Sequence, residues 1–150
     1  MRVVIQRVNE AYVAIENKRK SAIGLGLVVL LGIEHNDTHE DADWLCAKLA
    51  RLRIFADENG LMNHDIQTVG GSFIVVSQFT LHASTKKGNR PSYIRAARPE
   101  QAVPLYEYFV EKLEEISGCG VFTGEFGAYM QVGLVNDGPV TIIMDSAKKE

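Results

Sequence analysis

The stretch Leu27-Val28-Val29-Leu30-Leu31-Gly32-Ile33 carries no polar side chain. A strand with one face in water alternates apolar and polar residues, so an unbroken run predicts a strand covered on both faces. Ser72 to Leu81, S-F-I-V-V-S-Q-F-T-L, reads as a second central strand. Both need helices or further sheet to cover them, and the remaining chain offers two helices. Asp37 or Thr38 can cap the first, and Glu40, Asp41 and Asp43 follow in its opening turn, where the helix dipole favours acid. Leu45, Leu49 and Leu52 then recur at helical spacing, predicting a helix from about Thr38 to Arg53, with Trp44 and Cys46 as packing residues. Pro99 starts the second helix, Ala102, Tyr106, Phe109, Leu113 and Ile116 mark its buried face, and Gly118 and Gly120 end it.

The rest reads as strands and turns. Strands fill the first 33 residues, with a turn at Asn17-Lys18, and Asp57 to Gly60 is another turn. Phe122, Met130 to Val135 and Val140 to Met144 supply the last strands, with N-D-G-P between the final two. The expected fold class is α+β: one domain over residues 1–150, a mostly antiparallel, barrel-like sheet and two main helices. At 46% hydrophobic and 23% charged residues, disorder and collagen-like repeats are excluded. The longest apolar stretch, Ile23 to Ile33, is interrupted by three glycines and is shorter than the ~18–20 residues that cross a bilayer. No signal peptide is evident, and Cys46 and Cys119 make neither a disulfide framework nor a zinc set, so a cytoplasmic, membrane-free protein is expected.

Net charge is −3, but it is unevenly spread. Between Ala83 and Pro99 stand Lys86, Lys87, Arg90, Arg95 and Arg98 with no acid, while the rest holds 11 basic and 19 acidic residues. A basic loop on an acidic molecule fits a local phosphate contact, although it also fits an ordinary solvated surface. His35, His39, His64 and His82 lack ligand spacing, so no metal is expected. Gly24 and Gly26 lie between strands rather than opening a helix, which argues against a dinucleotide cofactor.

Two segments stand out. The second central strand ends in Ser77, Gln78 and Thr80, whose burial without partners would cost about 1–3 kcal/mol each. They are either satisfied within the protein or line a pocket. Alternation puts Ser77 and Phe79 on one face and Gln78 and Thr80 on the other. No His/Asp partner lies nearby to activate a hydroxyl, so catalysis here would rest on backbone N–H groups and hydroxyls stabilising a carbonyl oxygen. The other segment, Asn136-Asp137-Gly138-Pro139-Val140-Thr141, is a plain turn or holds a cis Gly-Pro bond with its carbonyls turned the same way.

With S-Q-F-T-L and N-D-G-P-V-T in order, the chain resembles the D-aminoacyl-tRNA deacylases. The likeness runs from end to end, through G-L-V-V-L-L-G, R-I-F, K-G-N-R-P-S-Y, A-V-P-L-Y-E-Y-F-V and M-Q-V-G-L-V. It implies a homodimeric, cytoplasmic, cofactor-free hydrolase that cleaves the ester joining a D-amino acid to tRNA. Ser77, Gln78, Phe79 and Thr80 would then line the catalytic pocket for the aminoacylated 3′ adenosine, with Met130 among the substrate-binding residues. Gly138 and Pro139 would reach across the dimer and hold the α-amino group so that an L side chain meets backbone. Lys86, Lys87, Arg90 and Arg95 would contact acceptor-stem phosphates; His82 takes no role from the resemblance. Two other readings remain: a Ser- or Thr-dependent esterase or amidase for small D-amino acid derivatives, and an RNA-binding module without catalysis.

Overall fold

The computed structural model describes residues 1–149. Its longest strands are β1 (Arg2–Ile15) and β8 (Gln131–Asp145), which pair antiparallel along almost their whole length. Along the other edge of β1 run β2 (Lys18–Ile23) and β3 (Gly26–Gly32), end to end and both antiparallel to it. The β1–β2 reversal uses Glu16 and Asn17, both at positive φ, one residue earlier than the sequence predicted. Beyond β3 come β6 (Ser72–Ser77) and β7 (Val121–Thr123), each parallel to its neighbour, so the sheet is mixed. Ser21 Oγ in β2 donates to the Thr123 carbonyl at 2.6 Å and Lys20 Nζ to that of Gly124, curling the sheet into a nearly closed barrel. A small hairpin, β4 (Phe55–Ala56) with β5 (Met62–His64), stands apart.

The double coverage expected of the two apolar strands is present. Leu27, Val29, Leu31, Phe73 and Val75 join one core, packed with α1 (His39–Ala50) and α2 (Pro99–Ser117). Val28, Ile74 and Val76 face a second core with Val8, Ala11, Val13 and Ile23. Thr38 caps α1, its N–H donating to Asp41 Oδ2 at 2.8 Å; the helix ends at Ala50, short of the expected Arg53. In α2, Pro99 occupies the first turn and Gly118 is the left-handed C-cap. The buried Tyr106 hydroxyl of α2 donates to the Val75 carbonyl at 2.7 Å, fixing the helix over β6.

Two further expectations need correction. The final two strands with a turn between them are one strand, β8, whose ladder with β1 steps from Asn136 (opposite Val8) to Thr141 (opposite Gln6). Asp137 to Val140 bulge out without ending the strand. The second central strand stops at Ser77, because Phe79 to His82 wind into a 3-10 turn. Strand alternation therefore does not govern Phe79 and Thr80.

The two ends of the sheet are tied near that turn. Arg2 donates to Asp145 Oδ2 at 2.8 and 3.0 Å and to the Leu81 carbonyl at 2.9 Å. Burial alone would raise the Asp145 pKa, but the Arg2 hydrogen bond, the Ala147 N–H and the Arg2 charge outweigh it and hold the carboxyl below its ordinary range. A lowered folded pKa stabilises fully above the unfolded value of about 3.9 and fades as pH falls through the folded value. Asp145→Asn should therefore lower the melting temperature at pH 7 and lose that difference in acid, as thermal melts across pH 2–7 will show.

Candidate active site

The strand end shapes a pocket. Gln78 N donates to the Leu31 carbonyl at 2.8 Å, extending the β3–β6 ladder by one step before the chain turns. The pocket there has a volume of about 260 Å³. It is lined by Leu31, Ile33 and Val76, by Ser77, Gln78 and Phe79, by Ala97 and Ala102, and by Phe126 to Met130 with Val132. This is below the ~300–1,000 Å³ that encloses a drug-sized ligand, so it suits one small group whose remainder stays outside. Among the described residues, none lining it is acidic, basic or a thiol. Cys46 is remote in the helix-covered core, where burial and then the Asp43 charge push its pKa up to about 12.

The sequence-derived site residues divide into three groups. Ser77, Gln78, Phe79 and Met130 meet at the pocket. Thr80 stands just outside the lining, its Oγ1 accepting a hydrogen bond from Gln78 Nε2. In a 3-10 turn the opening amides have no partner within the turn, and here those belong to Phe79 and Thr80.

The basic residues form the second group. Lys86, Lys87, Arg90 and Arg95 are all exposed. Ser84 and Ser92 exchange two 2.9 Å backbone hydrogen bonds, pinching off a lobe that carries the first three. The loop reaches the pocket through Tyr93, whose ring meets Phe79 edge-on at 5.0 Å between centroids. Its base is stapled to the exit of β3, where Glu34 pairs with Ala96 and Ala97 N donates to Ile33 O at 2.9 Å.

Gly138 and Pro139 form the third group and do not touch this pocket. They are exposed on the β8 bulge, and the bond between them is cis. At Gly138, φ is 131° and an added Cβ would stand 2.7 Å from Val140 Cγ2, so only glycine fits without strain. Asn136 Oδ1 accepts from Val140 N at 2.9 Å across the bulge. From β1, Arg7 donates to the Asp137 carbonyl at 3.1 Å and to the Ile54 carbonyl at 2.5 Å, and pairs with the Asp137 carboxylate at 3.1 Å. Sequence reasoning missed Arg7, because a charge in a half-wet strand looks like solvent-facing surface. It also missed Phe126 to Tyr129, which show no periodicity.

Fold and pocket together define an α+β protein of a particular kind: a small, charge-free cleft opens where a doubly covered strand ends, and a basic loop flanks it. The model of the D-Tyr-tRNA(Tyr) deacylase family matches residues 4–145, and the chain belongs to that family. It is 63% identical to the D-aminoacyl-tRNA deacylase of Phocaeicola vulgatus and 59% identical to that of Flavobacterium johnsoniae, each over 150 residues and the full length of both chains. Among solved structures it is similar to a c-Myc DNA unwinding element binding protein, with a TM-score of 0.90, 40% identity and 97% and 98% of the two chains covered. The chain is a hydrolase of this family.

Proposed function

We propose that the protein hydrolyses the ester of D-aminoacyl-tRNA, releasing D-amino acid and tRNA, and that it discriminates by excluding L side chains. The observation that carries this reading is the Phe79–Tyr93 contact, which makes the pocket continuous with the basic loop. A substrate whose small reacting group sits on a polyanion fits that arrangement. Phosphate contacts by Lys86, Lys87, Arg90 and Arg95 make binding weaken as salt rises.

Water attacks the ester carbonyl, and the developing oxyanion is held by the Phe79 and Thr80 amides. The pocket lining holds Tyr129 but no carboxylate, amine, imidazole or thiol to serve as a base near neutral pH, and the substrate's 2′-hydroxyl assists the proton transfer. Gly138 and Pro139 act in the pocket of a second copy, where their carbonyls hold the α-amino group. Support for the second copy comes from β8: it pairs only with β1 among the described residues, and it exposes Val135 and Ile143 by 48% and 67%. A long open edge with apolar residues is what a self-associating sheet presents. Gly-tRNA, with no side chain to exclude, is cleaved as well.

The test is amino-acid release from matched D-Tyr-tRNA and L-Tyr-tRNA with a chelator present. Loss of the D ester alone is expected. Loss of both would remove the chiral filter, and loss of neither with tRNA still bound would leave an RNA-binding module. Ser77→Ala and Thr80→Ala each delete one hydroxyl worth about 0.5–1.5 kcal/mol, so kcat should fall only about two- to tenfold. A nucleophile's removal would cost about 10⁴-fold or more, and trapping an acyl-enzyme at either residue would refute the water mechanism.

A further inference from the structure

His82 closes the 3-10 turn and is 1% exposed, yet neither ring nitrogen has a hydrogen-bond partner within the described chain. Burying an imidazole this way is unfavourable, and an apolar side chain would fill the same space without that penalty. What His82 does face is charge. Its Nδ1 lies 3.4 Å from Glu34 Oε1, and the same oxygen takes Arg95 Nη2 at 2.5 Å. Behind the ring, β3 approaches so closely that a Cβ on Gly32 would stand 2.9 Å from His82 Nε2. Glu34 itself sits where β3 meets the base of the basic loop, with the Glu34–Ala96 bridge beside it and His35 Nε2 within 3.0 Å of the Ile94 carbonyl. One carboxylate thus stands between the loop and the buried end of the turn that carries Phe79 and Thr80.

We propose that Glu34 and His82 are positioning residues for ester hydrolysis: the carboxylate holds the imidazole, and the imidazole sets where the Phe79–Leu81 turn places its amides. The proposal rests on the deacylase reading for its chemistry and on the contact between buried His82 and partly buried Glu34 for its geometry. The 3.4 Å separation is longer than a good hydrogen bond, as is common at sites that tighten only when substrate is bound. Neither residue lines the pocket, so neither contributes a contact to the substrate.

The test compares His82→Phe, His82→Gln and Glu34→Gln in the full-length protein, reading kcat and KM on D-Tyr-tRNA and the backbone amide chemical shifts of Phe79, Thr80 and Leu81. His82→Phe and Glu34→Gln should each lower kcat about tenfold with KM held within about twofold. The double variant Glu34→Gln/His82→Phe should lose no more than either single one, because both break one contact. His82→Gln, which keeps a donor toward Glu34, should recover most of the loss. Unchanged kcat in His82→Phe overturns the proposal, and so do equal losses in Phe and Gln variants that track a falling melting temperature. If the unaltered protein does not cleave D-Tyr-tRNA, the deacylase reading fails by itself. The amide shifts then still decide, since turn amides unmoved by Glu34→Gln would overturn the positioning role.

Discussion

Arg7→Met is expected to lower kcat/KM for a D-aminoacyl-tRNA about a hundredfold, the loss typical when a positioning contact shifts a site by about an ångström. The reason lies in the ladder. Where β8 leaves β1, the strand that stays behind presents Arg7, whose guanidinium reaches the Asp137 carbonyl, the Asp137 carboxylate and the Ile54 carbonyl. Arg7 is only 12% exposed, and Asp137 is 39% exposed, so the pair is partly screened and its hydrogen bonds matter more than its charge. Methionine fills the stem's volume and removes every donor that Arg7 gives to the Asp137 and Ile54 carbonyls. Stripping those acceptors should cost about 1–3 kcal/mol of stability, or roughly 2–12 °C in melting temperature. The variant therefore remains folded at assay temperature while Gly138 and Pro139 lose their fixed place. Under the proposed function, discrimination between D-Tyr-tRNA and L-Tyr-tRNA should shrink along with the rate. A variant that keeps both would show that the bulge does not act in catalysis.

The parts of this molecule that were legible in its sequence are those fixed by burial and by local chemistry. The coverage of β3 and β6 on both faces follows from residues 27–33 and 73–76 lacking any polar side chain. Thr38, Pro99 and Gly118 mark helix ends because capping, the proline ring and left-handed backbone are local demands. Ser77 and Gln78 pointed to the pocket they line, because polar groups at the end of a buried strand need partners. Phe126 to Tyr129 were not legible, because they join the pocket through the curl of the sheet, which long-range contacts such as Ser21 to Thr123 hold, whereas Met130 came from the family resemblance alone. N-D-G-P carries turn chemistry, yet β8 continues through it because Arg7 and Asn136 hold the bulge from both sides. The pairing of Glu34 with His82 spans 48 positions, and neither residue belongs to a motif.

The largest expected loss of stability comes from a single methyl group in the G-L-G segment that links β2 to β3. At Gly26 an added Cβ would stand 1.9 Å from the Ser72 carbonyl oxygen and 2.9 Å from its carbon. The clashing atoms are backbone, so no side-chain rotation relieves them. Gly26 and Ser72 are the first pair of the parallel β3–β6 ladder, which separates the two cores. Making room means parting strands buried on both faces, and Gly26→Ala should cost about 3–5 kcal/mol, at the upper end for single substitutions. The melting temperature should then fall by about 6–20 °C. Gly24, two residues earlier, meets only the Asn9 carbonyl at 4.0 Å, so Gly24→Ala should stay within about 1 kcal/mol of the unaltered protein. Thermal or urea melts of the two variants side by side decide the matter. Equal tolerance would mean that β3 and β6 can separate freely. The Leu31–Gln78 hydrogen bond that positions the end of β6 would then be an insecure foundation for the pocket. A large loss at Gly26 alone would show that the second glycine is there for close strand approach, in the same ladder that ends at Ser77 just before the 3-10 turn.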